Sequence, residues 1–201
     1  MKVEKWFSTP IWFDYFNFDT AAVAKACLKL RDDHYENRVI SNIGGWQSSD
    51  LNLEDHDELQ VVSEIITTAL SEFSSQIHPK FTIELKNVWV NINEKGNSNK
   101  RHIHAFSTFS GTLYIQVDEK TGNIIFYDNY TPYDHYPILM PEGSEHFPAH
   151  VTYYPKNGML LIFPSWVPHE VQPSNSDLTR ISISFNVQQL FEIDGKLTRV
   201  Y

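Results

Sequence analysis

The spacing of apolar residues changes near residue 80, where a helical pattern gives way to an extended one. Before this point apolar side chains recur every three or four residues, which is typical of helices with one buried face. We predict a first helix over about 20–33, with Asp19 as its N-cap. Its apolar stripe consists of Val23, Ala26, Cys27 and Leu30. The aromatic-rich first eighteen residues predict an edge strand.

A longer helix is predicted to follow the first one. Asp55 is placed to cap it, and Glu58, three residues later, would complete a capping box. Its apolar stripe consists of Leu59, Val62, Ile66, Leu70, Phe73 and Ile77. Because the stripe runs along one face, we predict that this helix packs against a sheet.

From residue 81 onward, apolar and polar residues alternate in short runs that are separated by turn-forming residues, as in β-strands. The predicted strands span 81–86, 87–93, 109–117, 124–127, 151–154, 159–163, 170–172 and 179–188. Residues 120–123 predict a hairpin turn. The proline-rich segment 128–150 predicts a lid or substrate-contacting loop, because loops of this length are rare without a function.

Two helices followed by many short strands predict a mainly β fold with supporting helices. The fold class we expect is a double-stranded β-helix (jelly roll, cupin-like) backed by two N-terminal helices. We expect a single domain over 1–201, with the N-terminal strand and the helices in 1–80, the double-stranded β-helix in 81–188, and a C-terminal tail in 189–201.

The last predicted strand has two different faces. One face is polar and consists of Arg180, Ser182, Ser184 and Asn186. The opposite face is apolar and consists of Ile181, Ile183, Phe185 and Val187. We expect the apolar face to contact the helices and the polar face to line the barrel. A polar row inside a barrel is costly unless it faces water, a metal or a ligand.

The amino-acid composition excludes several classes of function and partner. With a net charge of −9, general nucleic-acid binding is not expected, because phosphate backbones are bound mainly by Lys and Arg. Cys27 is the only cysteine, which excludes an intrachain disulfide framework and a cysteine-based zinc cluster. No stretch approaches the ~18 apolar residues of a membrane span, and the N-terminus has no apolar signal core. We expect a cytoplasmic protein without a membrane partner, and the N-terminal aromatics leave a homodimer open.

Three histidines are candidate metal ligands. His102 and His104 are two residues apart, so on a strand they would project from the same face. Histidine is the commonest metal ligand, and a catalytic metal needs about three protein ligands with positions left open. His169 would supply the third. The histidines of the long segment, His135, His146 and His150, are the substitutes if one of these fails.

Short motifs around these histidines occur in a specific order. They are His102-x-His104, Ser110-Gly111-x-x-Tyr114, Gly158-x-Leu160-x-x-Phe163-Pro164-Ser165-Trp166-x-x-His169, and Arg180-Ile181-Ser182-Ile183-Ser184-Phe185-Asn186. Together they resemble a 2-oxoglutarate- and Fe(II)-dependent oxygenase family, a branch that is frequent in phages and marine bacteria. The resemblance covers roughly residues 87–188, and if the chain is phage-encoded its location would be the host cytoplasm.

The resemblance implies a double-stranded β-helix, bound Fe(II), and oxidation of an unknown substrate, with hydroxylation as the expected outcome, coupled to decarboxylation of 2-oxoglutarate to succinate. It implies that the three histidines occupy one octahedral face of the iron, leaving room for the oxo-acid and dioxygen. Arg180 would hold the far carboxylate of 2-oxoglutarate through two parallel hydrogen bonds, with a further one from Ser182. Tyr114 is a second candidate for this carboxylate, and Asn91 would face the same pocket by strand parity.

His104 stands where most of the superfamily has Asp or Glu, although the resembled branch favours the His-x-His form. A neutral imidazole makes the site about one charge more positive, which would weaken Fe(II) retention or favour other divalent metals. The imidazole also fills the space that a halide occupies in the halogenase variant, so halogenation is not proposed.

Three alternatives remain open at this point. An isolated His-x-His pair is more often a pair of surface histidines. The chain could also be a jelly-roll module that binds a metal or small ligand without catalysis, or a three-histidine dioxygenase of cupin type that does not use 2-oxoglutarate. Arg180 with Ser182 argues against the last two, because a carboxylate co-substrate explains that pair.

Overall fold

The computed structural model describes residues 8–33, 36–128 and 150–199. Within them lie two α-helices, α1 (Thr20–Asp33) and α2 (Gln60–Ile77). The strands of the described residues are β1 (Trp12–Tyr15), β2 (Asn42–Ile43), β3 (Trp46–Gln47), β4 (Thr82–Asn93), β5 (Ser98–His102), β6 (Phe109–Gln116), β7 (Ile124–Tyr127), β8 (His150–Tyr153), β9 (Met159–Pro164), β10 (His169–Val171), β11 (Arg180–Ile193) and β12 (Lys196–Arg199).

The strands form two antiparallel sheets. The major sheet has the order β1-β9-β6-β11-β4-β3, with β12 paired to β11, and the minor sheet has the order β2-β5-β10-β7-β8. Neighbouring strands come from distant parts of the chain, which is the topology of a double-stranded β-helix. The predicted fold class is therefore confirmed, including the edge strand β1 at the margin of the major sheet.

The two helices cover the outer face of the major sheet. Residues of α1 and α2 share one buried cluster with alternate residues of β4 and β11. On β11 this set is Ile181, Ile183, Phe185 and Val187, each of which is 0% exposed. The predicted apolar face of the last strand is thus the face that meets the helices. A second cluster, which includes Tyr114, Phe126, Leu161 and Phe163, lies on the inner side of the barrel.

Helix α1 has the predicted bounds, and the Asp19 carboxylate accepts a hydrogen bond from the Ala22 backbone N–H (3.0 Å). The predicted capping box of the second helix is wrong. Two 3₁₀ turns, Leu53–Asp55 and Asp57–Leu59, precede α2, so Asp55 and Glu58 lie outside it. Asn52 instead caps the first turn and also donates to the Asp55 carboxylate.

Strands 81–86 and 87–93 are predicted separately, whereas the structure has a single strand, β4. Asn186 of β11 pairs with Asn87, and the next residue, Val187, pairs with Leu85, so Lys86 forms a β-bulge. A bulge places one extra residue in a strand and inverts the alternation of its faces. The sequence pattern therefore breaks here although the strand continues.

Two further expectations are wrong. Residues 120–123 do not form a hairpin, because β6 belongs to the major sheet and β7 to the minor sheet. The chain crosses between the sheets at this point. Residues 189–199 are not a tail: β11 continues to Ile193 and pairs with β12. Most of the predicted loop 128–150 lies outside the described residues.

No helix in the described part of the chain is both long and apolar enough to cross a membrane.

Gly111 is required by the close approach of β11 and β9 to β6. A Cβ atom there would lie 2.2 Å from Phe185 Cζ and 2.7 Å from the Leu161 carbonyl oxygen. We expect Gly111→Ala to lower the free energy of unfolding by about 1–3 kcal/mol, as overpacked cores do. In urea unfolding, Phe185→Leu should partly relieve the clash, so the double variant should lose less than the sum. Wild-type stability in Gly111→Ala would contradict this packing.

The reactivity of Cys27, which is buried on α1, can be used to test whether the helices are packed on the sheet. Cys27 is 0% exposed, and burial raises the pKa of its thiol to about 12. We expect no alkylation by iodoacetamide in the native protein and complete alkylation in denaturant, measured by mass spectrometry. Because the folded thiol keeps its proton above pH 9, where the unfolded thiol loses it, stability should fall as the pH rises beyond 9. Fast native alkylation would contradict the buried position.

Candidate active site

Antiparallel pairing brings two of the three histidines together. His102 is the last residue of β5 and His169 is the first residue of β10, and the two are direct register partners in the minor sheet. Their ring centroids are 4.3 Å apart. His104 lies two residues beyond the end of β5, so the prediction that it lies on the strand is wrong. Its backbone N–H is held by the Ser165 carbonyl (2.9 Å), just before β10.

The three side chains converge. One ring nitrogen of each lies within 4.8 Å of those of the other two, and His104 is 5.0 Å from His169 between ring centroids. The Nδ1 atoms are occupied: His102 Nδ1 contacts the Lys100 carbonyl (2.8 Å) and His169 Nδ1 contacts the Val167 carbonyl (2.9 Å). A carbonyl oxygen only accepts, so both nitrogens donate and Nε2 is left with its lone pair.

All three imidazoles are neutral at physiological pH. Burial lowers the pKa of His104 to about 4, against the opposing effect of its hydrogen bond to Asn186. Burial, followed by repulsion from the other two histidines, lowers the pKa of His169 well below 6.5. Burial also lowers the pKa of His102. A histidine binds a metal in its neutral form. Because the three imidazoles are already neutral, they can bind a metal without first losing a proton.

Aromatic side chains enclose the cluster. The Phe163 ring lies 4.7 Å from the His169 ring, and Phe126 lies 5.7 Å from it. Trp89 lies 5.8 Å from His104 on the side of the major sheet. These contacts restrict the rotation of the rings and lower the polarity around the cluster. Trp166, which follows Phe163 in the same motif, is 45% exposed.

The histidines face a cavity of about 360 Å³ between the two sheets. Arg180, Ser182 and Tyr114, the predicted co-substrate residues, line the same cavity. Ser182 of β11 and Tyr114 of β6 are register partners on the major sheet. Tyr114 therefore faces the histidines from the opposite sheet.

Arg180 is a buried cation with no anionic partner among the described residues. Its side chain is 2% exposed, and burial lowers the pKa of the guanidinium to about 10, so it stays protonated at neutral pH. It makes long hydrogen bonds to the Thr121 carbonyl (3.3 Å) and Asn99 Oδ1 (3.5 Å), while Nε has no partner. No carboxylate of the described residues pairs with it. Such a group is stabilised only when an anion enters.

Hydroxyl donors lie beside this guanidinium. Burial raises the pKa of Tyr114 to about 12, so its hydroxyl keeps its proton. Ser182 is 7% exposed and shares the face of Arg180 on β11. A guanidinium with two neutral hydroxyls matches a carboxylate, which accepts several hydrogen bonds at once.

The sequence placed Asn186 on the polar face of the last strand and in its motif, but indicated no contact with the histidines. In the structure its Oδ1 contacts His104 Nδ1 (2.7 Å), and its strand neighbour Asn87 also lines the cavity. Asn91 faces the cavity, as strand parity predicts, with Gln47 opposite it on β3. Of the substitute histidines, His150 is exposed on β8, and His135 and His146 lie outside the described residues.

The residues fit the two groups that the sequence implies. Three neutral imidazole nitrogens on one side of a cavity suit a divalent transition metal that keeps open positions. The orphaned guanidinium, with an unpartnered buried Nε, suits a carboxylate. Both features line the same cavity, so a metal and a carboxylate-bearing molecule could occupy it together.

Comparison with known proteins gives the same family. The family described as "Putative 2OG-Fe(II) oxygenase" matches residues 87–186, about half of the chain. A search of curated proteins found no significant sequence match.

Solved structures show the fold. A prolyl-4-hydroxylase from Pseudomonas putida is 15% identical with a TM-score of 0.61, covering 89% of this chain and 92% of that one. A prolyl hydroxylase from Trichoplax adhaerens, in complex with a peptide fragment of hypoxia inducible factor, is 17% identical with a TM-score of 0.63 (87% and 82% covered). A viral collagen prolyl hydroxylase from Paramecium Bursaria Chlorella virus-1, in complex with 2-oxoglutarate, is 13% identical with a TM-score of 0.59 (88% and 94% covered).

The motifs, the clustered histidines and the family match lead to one assignment. The chain belongs to the 2OG-Fe(II) oxygenase family and is an enzyme that uses Fe(II) and the co-substrate 2-oxoglutarate to oxidise a substrate.

Proposed function

We propose that His102, His104 and His169 are the three protein ligands of the catalytic Fe(II). The observation that carries this proposal is the convergence of three neutral ring nitrogens within 4.8 Å of one another. The backbone carbonyls of Lys100 and Val167 hold the rings of His102 and His169 with Nε2 unprotonated. These contacts orient ligands before a metal arrives and so reduce the ordering cost of binding.

We propose that Arg180, Ser182 and Tyr114 bind the carboxylate of 2-oxoglutarate that lies away from the metal. When bound, Fe(II) with the co-substrate and dioxygen supplies the oxidation, in which 2-oxoglutarate becomes succinate and carbon dioxide. The residues of this chain bind and orient the reactants and exclude water. Arg180 supplies the charge, and the Ser182 and Tyr114 hydroxyls donate hydrogen bonds. A cupin-type dioxygenase that does not use an oxo-acid would leave the buried guanidinium without an anion.

The remaining cavity wall supports an uncharged or anionic substrate. It carries amide and hydroxyl groups from Gln47, Asn91, Thr112 and Ser184, and no carboxylate lines it among the described residues. A cationic group would therefore lose water without gaining an ion pair. We propose C–H hydroxylation as the outcome, with the oxidised part of the substrate carrying no positive charge.

The ligand assignment predicts the behaviour of His169→Ala. With Fe(II) and 2-oxoglutarate under anaerobic conditions, we expect the wild-type protein to show a visible charge-transfer band. The variant should lose the band and most of its bound iron, because two imidazoles remain of three. His78→Ala is the matched control, since His78 is exposed at the end of α2. A wild-type band in folded His169→Ala would rule out this ligand set.

The co-substrate assignment predicts opposite effects of Arg180→Met on binding and on stability. Removing one partner of a buried charge pair costs about 2–5 kcal/mol, so 2-oxoglutarate should bind ~30-fold more weakly or worse in anaerobic titration calorimetry. The variant without ligand should be as stable as wild type or more so, because the unpaired buried cation is gone. Arg31→Met is the control, as Arg31 forms exposed ion pairs on α1. Unchanged 2-oxoglutarate affinity would refute the assignment.

A further inference from the structure

A line of hydrogen bonds runs from His104 to the protein surface. His104 Nδ1 contacts Asn186 Oδ1 (2.7 Å), and Asn186 Nδ2 donates to Asn87 Oδ1 (3.0 Å). Asn87 Nδ2 donates to Asp50 Oδ1 (3.2 Å), which also accepts from Arg38 Nη1 (2.5 Å). We call Asn186, Asn87 and Asp50 the amide relay. The two asparagines are register partners on β11 and β4, so the sheet itself sets their spacing.

The third histidine differs from the other two in what holds it. His102 and His169 each donate from Nδ1 to a backbone carbonyl, which can only accept, so their tautomers are fixed. His104 contacts a side-chain amide, which can present either its oxygen or its NH₂ group. Another residue in the line of hydrogen bonds must therefore determine whether the Asn186 amide turns its oxygen or its NH₂ group toward the imidazole.

Ser110 does not decide it. Its hydroxyl contacts Asn186 Oδ1 (2.7 Å) and the Ser165 hydroxyl (2.7 Å), and a hydroxyl can donate or accept. It would therefore satisfy Asn186 in either orientation.

The Asp50 carboxylate does decide it, because it can only accept hydrogen bonds. Asn87 must turn its NH₂ group toward Asp50 and its oxygen toward Asn186. Asn186 must then turn its NH₂ group toward Asn87 and its oxygen toward His104. With an oxygen facing Nδ1, His104 must carry its proton there, which leaves Nε2 free to bind a metal. The opposite tautomer would require both amides to flip and would set the Asn87 oxygen against the Asp50 carboxylate.

We propose that the amide relay makes Asp50 and Asn186 positioning residues, which fix the Nδ1–H tautomer of His104 from the protein surface. The inference rests on the proposed role of His104 as a metal ligand. The backbone performs this task for two of the ligands, and a chain of three side chains performs it for the third. Arg38, which lines the cavity, holds the carboxylate at the start of the relay.

The test reads the tautomer in the metal-free protein. Long-range proton–nitrogen correlation spectra of ¹⁵N-histidine-labelled protein distinguish Nδ1–H from Nε2–H, and His104→Gln identifies the His104 signals. We expect Nδ1–H in wild type and a mixture of both tautomers in Asp50→Asn, because an amide can face Asn87 with either group. Asn186→Asp should retain Nδ1–H, since a carboxylate accepts from Nδ1 without the rest of the relay. Asp177→Asn, which removes an exposed carboxylate paired with Lys95, is the matched control and should match wild type.

A second readout is the affinity for Co(II) alone, measured from its visible absorption. Loss of a residue that orients a ligand typically weakens metal binding by ~10–100-fold, and we expect this range for Asn186→Ala, with a smaller loss for Asp50→Asn. An Nε2–H tautomer in wild type would overturn the proposal. So would Asp50→Asn protein with both the wild-type tautomer and wild-type Co(II) affinity. Failure of the iron assignment shows separately, as an unchanged charge-transfer band in His169→Ala.

Discussion

The pairing of β5 with β10 is the contact on which the site depends. It places His102 directly opposite His169, so two of the proposed ligands, from distant parts of the sequence, meet through the strand pairing of the minor sheet. The Ser165 carbonyl then fixes the backbone of His104 beside them. A shift of this pairing by one residue would turn one imidazole to the other face of the sheet and dissolve the cluster. The approach of His102 to His169 is therefore set by strand register, whereas His104 is positioned by the segment that follows β5.

The major sheet holds a row of polar side chains in the interior of the protein. On β11 every second residue is fully buried against the helices, while Arg180, Ser182, Ser184 and Asn186 face the cavity. Apolar side chains of the major sheet are therefore buried mainly against the helices, because the face toward the cavity is polar. Most of the inward polar groups are partnered: Asn91 donates to Ser184 (3.0 Å), and Asn186 bonds with Asn87. Arg180 differs from these groups because it is charged and no carboxylate of the described residues pairs with it, which is why we propose that it binds the carboxylate of the co-substrate.

Much of this could be predicted from the sequence. The two-residue alternation on β11 identified both of its faces, and the His-x-His spacing with the distant His169 identified three histidines that do converge. What failed were features that depend on partners. The bulge at Lys86 breaks the alternation within a continuous strand, and residues 120–123 look like a hairpin turn but connect two sheets. Asn186 could be placed on the polar face, yet its contact with His104 depends on where β11 lies relative to β5.

The proposed ligand set of three neutral imidazoles has a consequence for which metal the protein binds. The affinity of a given protein site for divalent first-row metals generally follows the Irving–Williams order, in which Ni²⁺ and Cu²⁺ bind more tightly than Fe²⁺. With these ligands, occupancy by iron would depend on which divalent ions are available and on the geometry of the site, because raw affinity does not favour iron. Nickel ions from an affinity resin, or trace zinc or copper ions, would compete with iron for the same three nitrogens. We therefore expect the proposed ligand set to bind competing divalent metals wherever they are more available than iron.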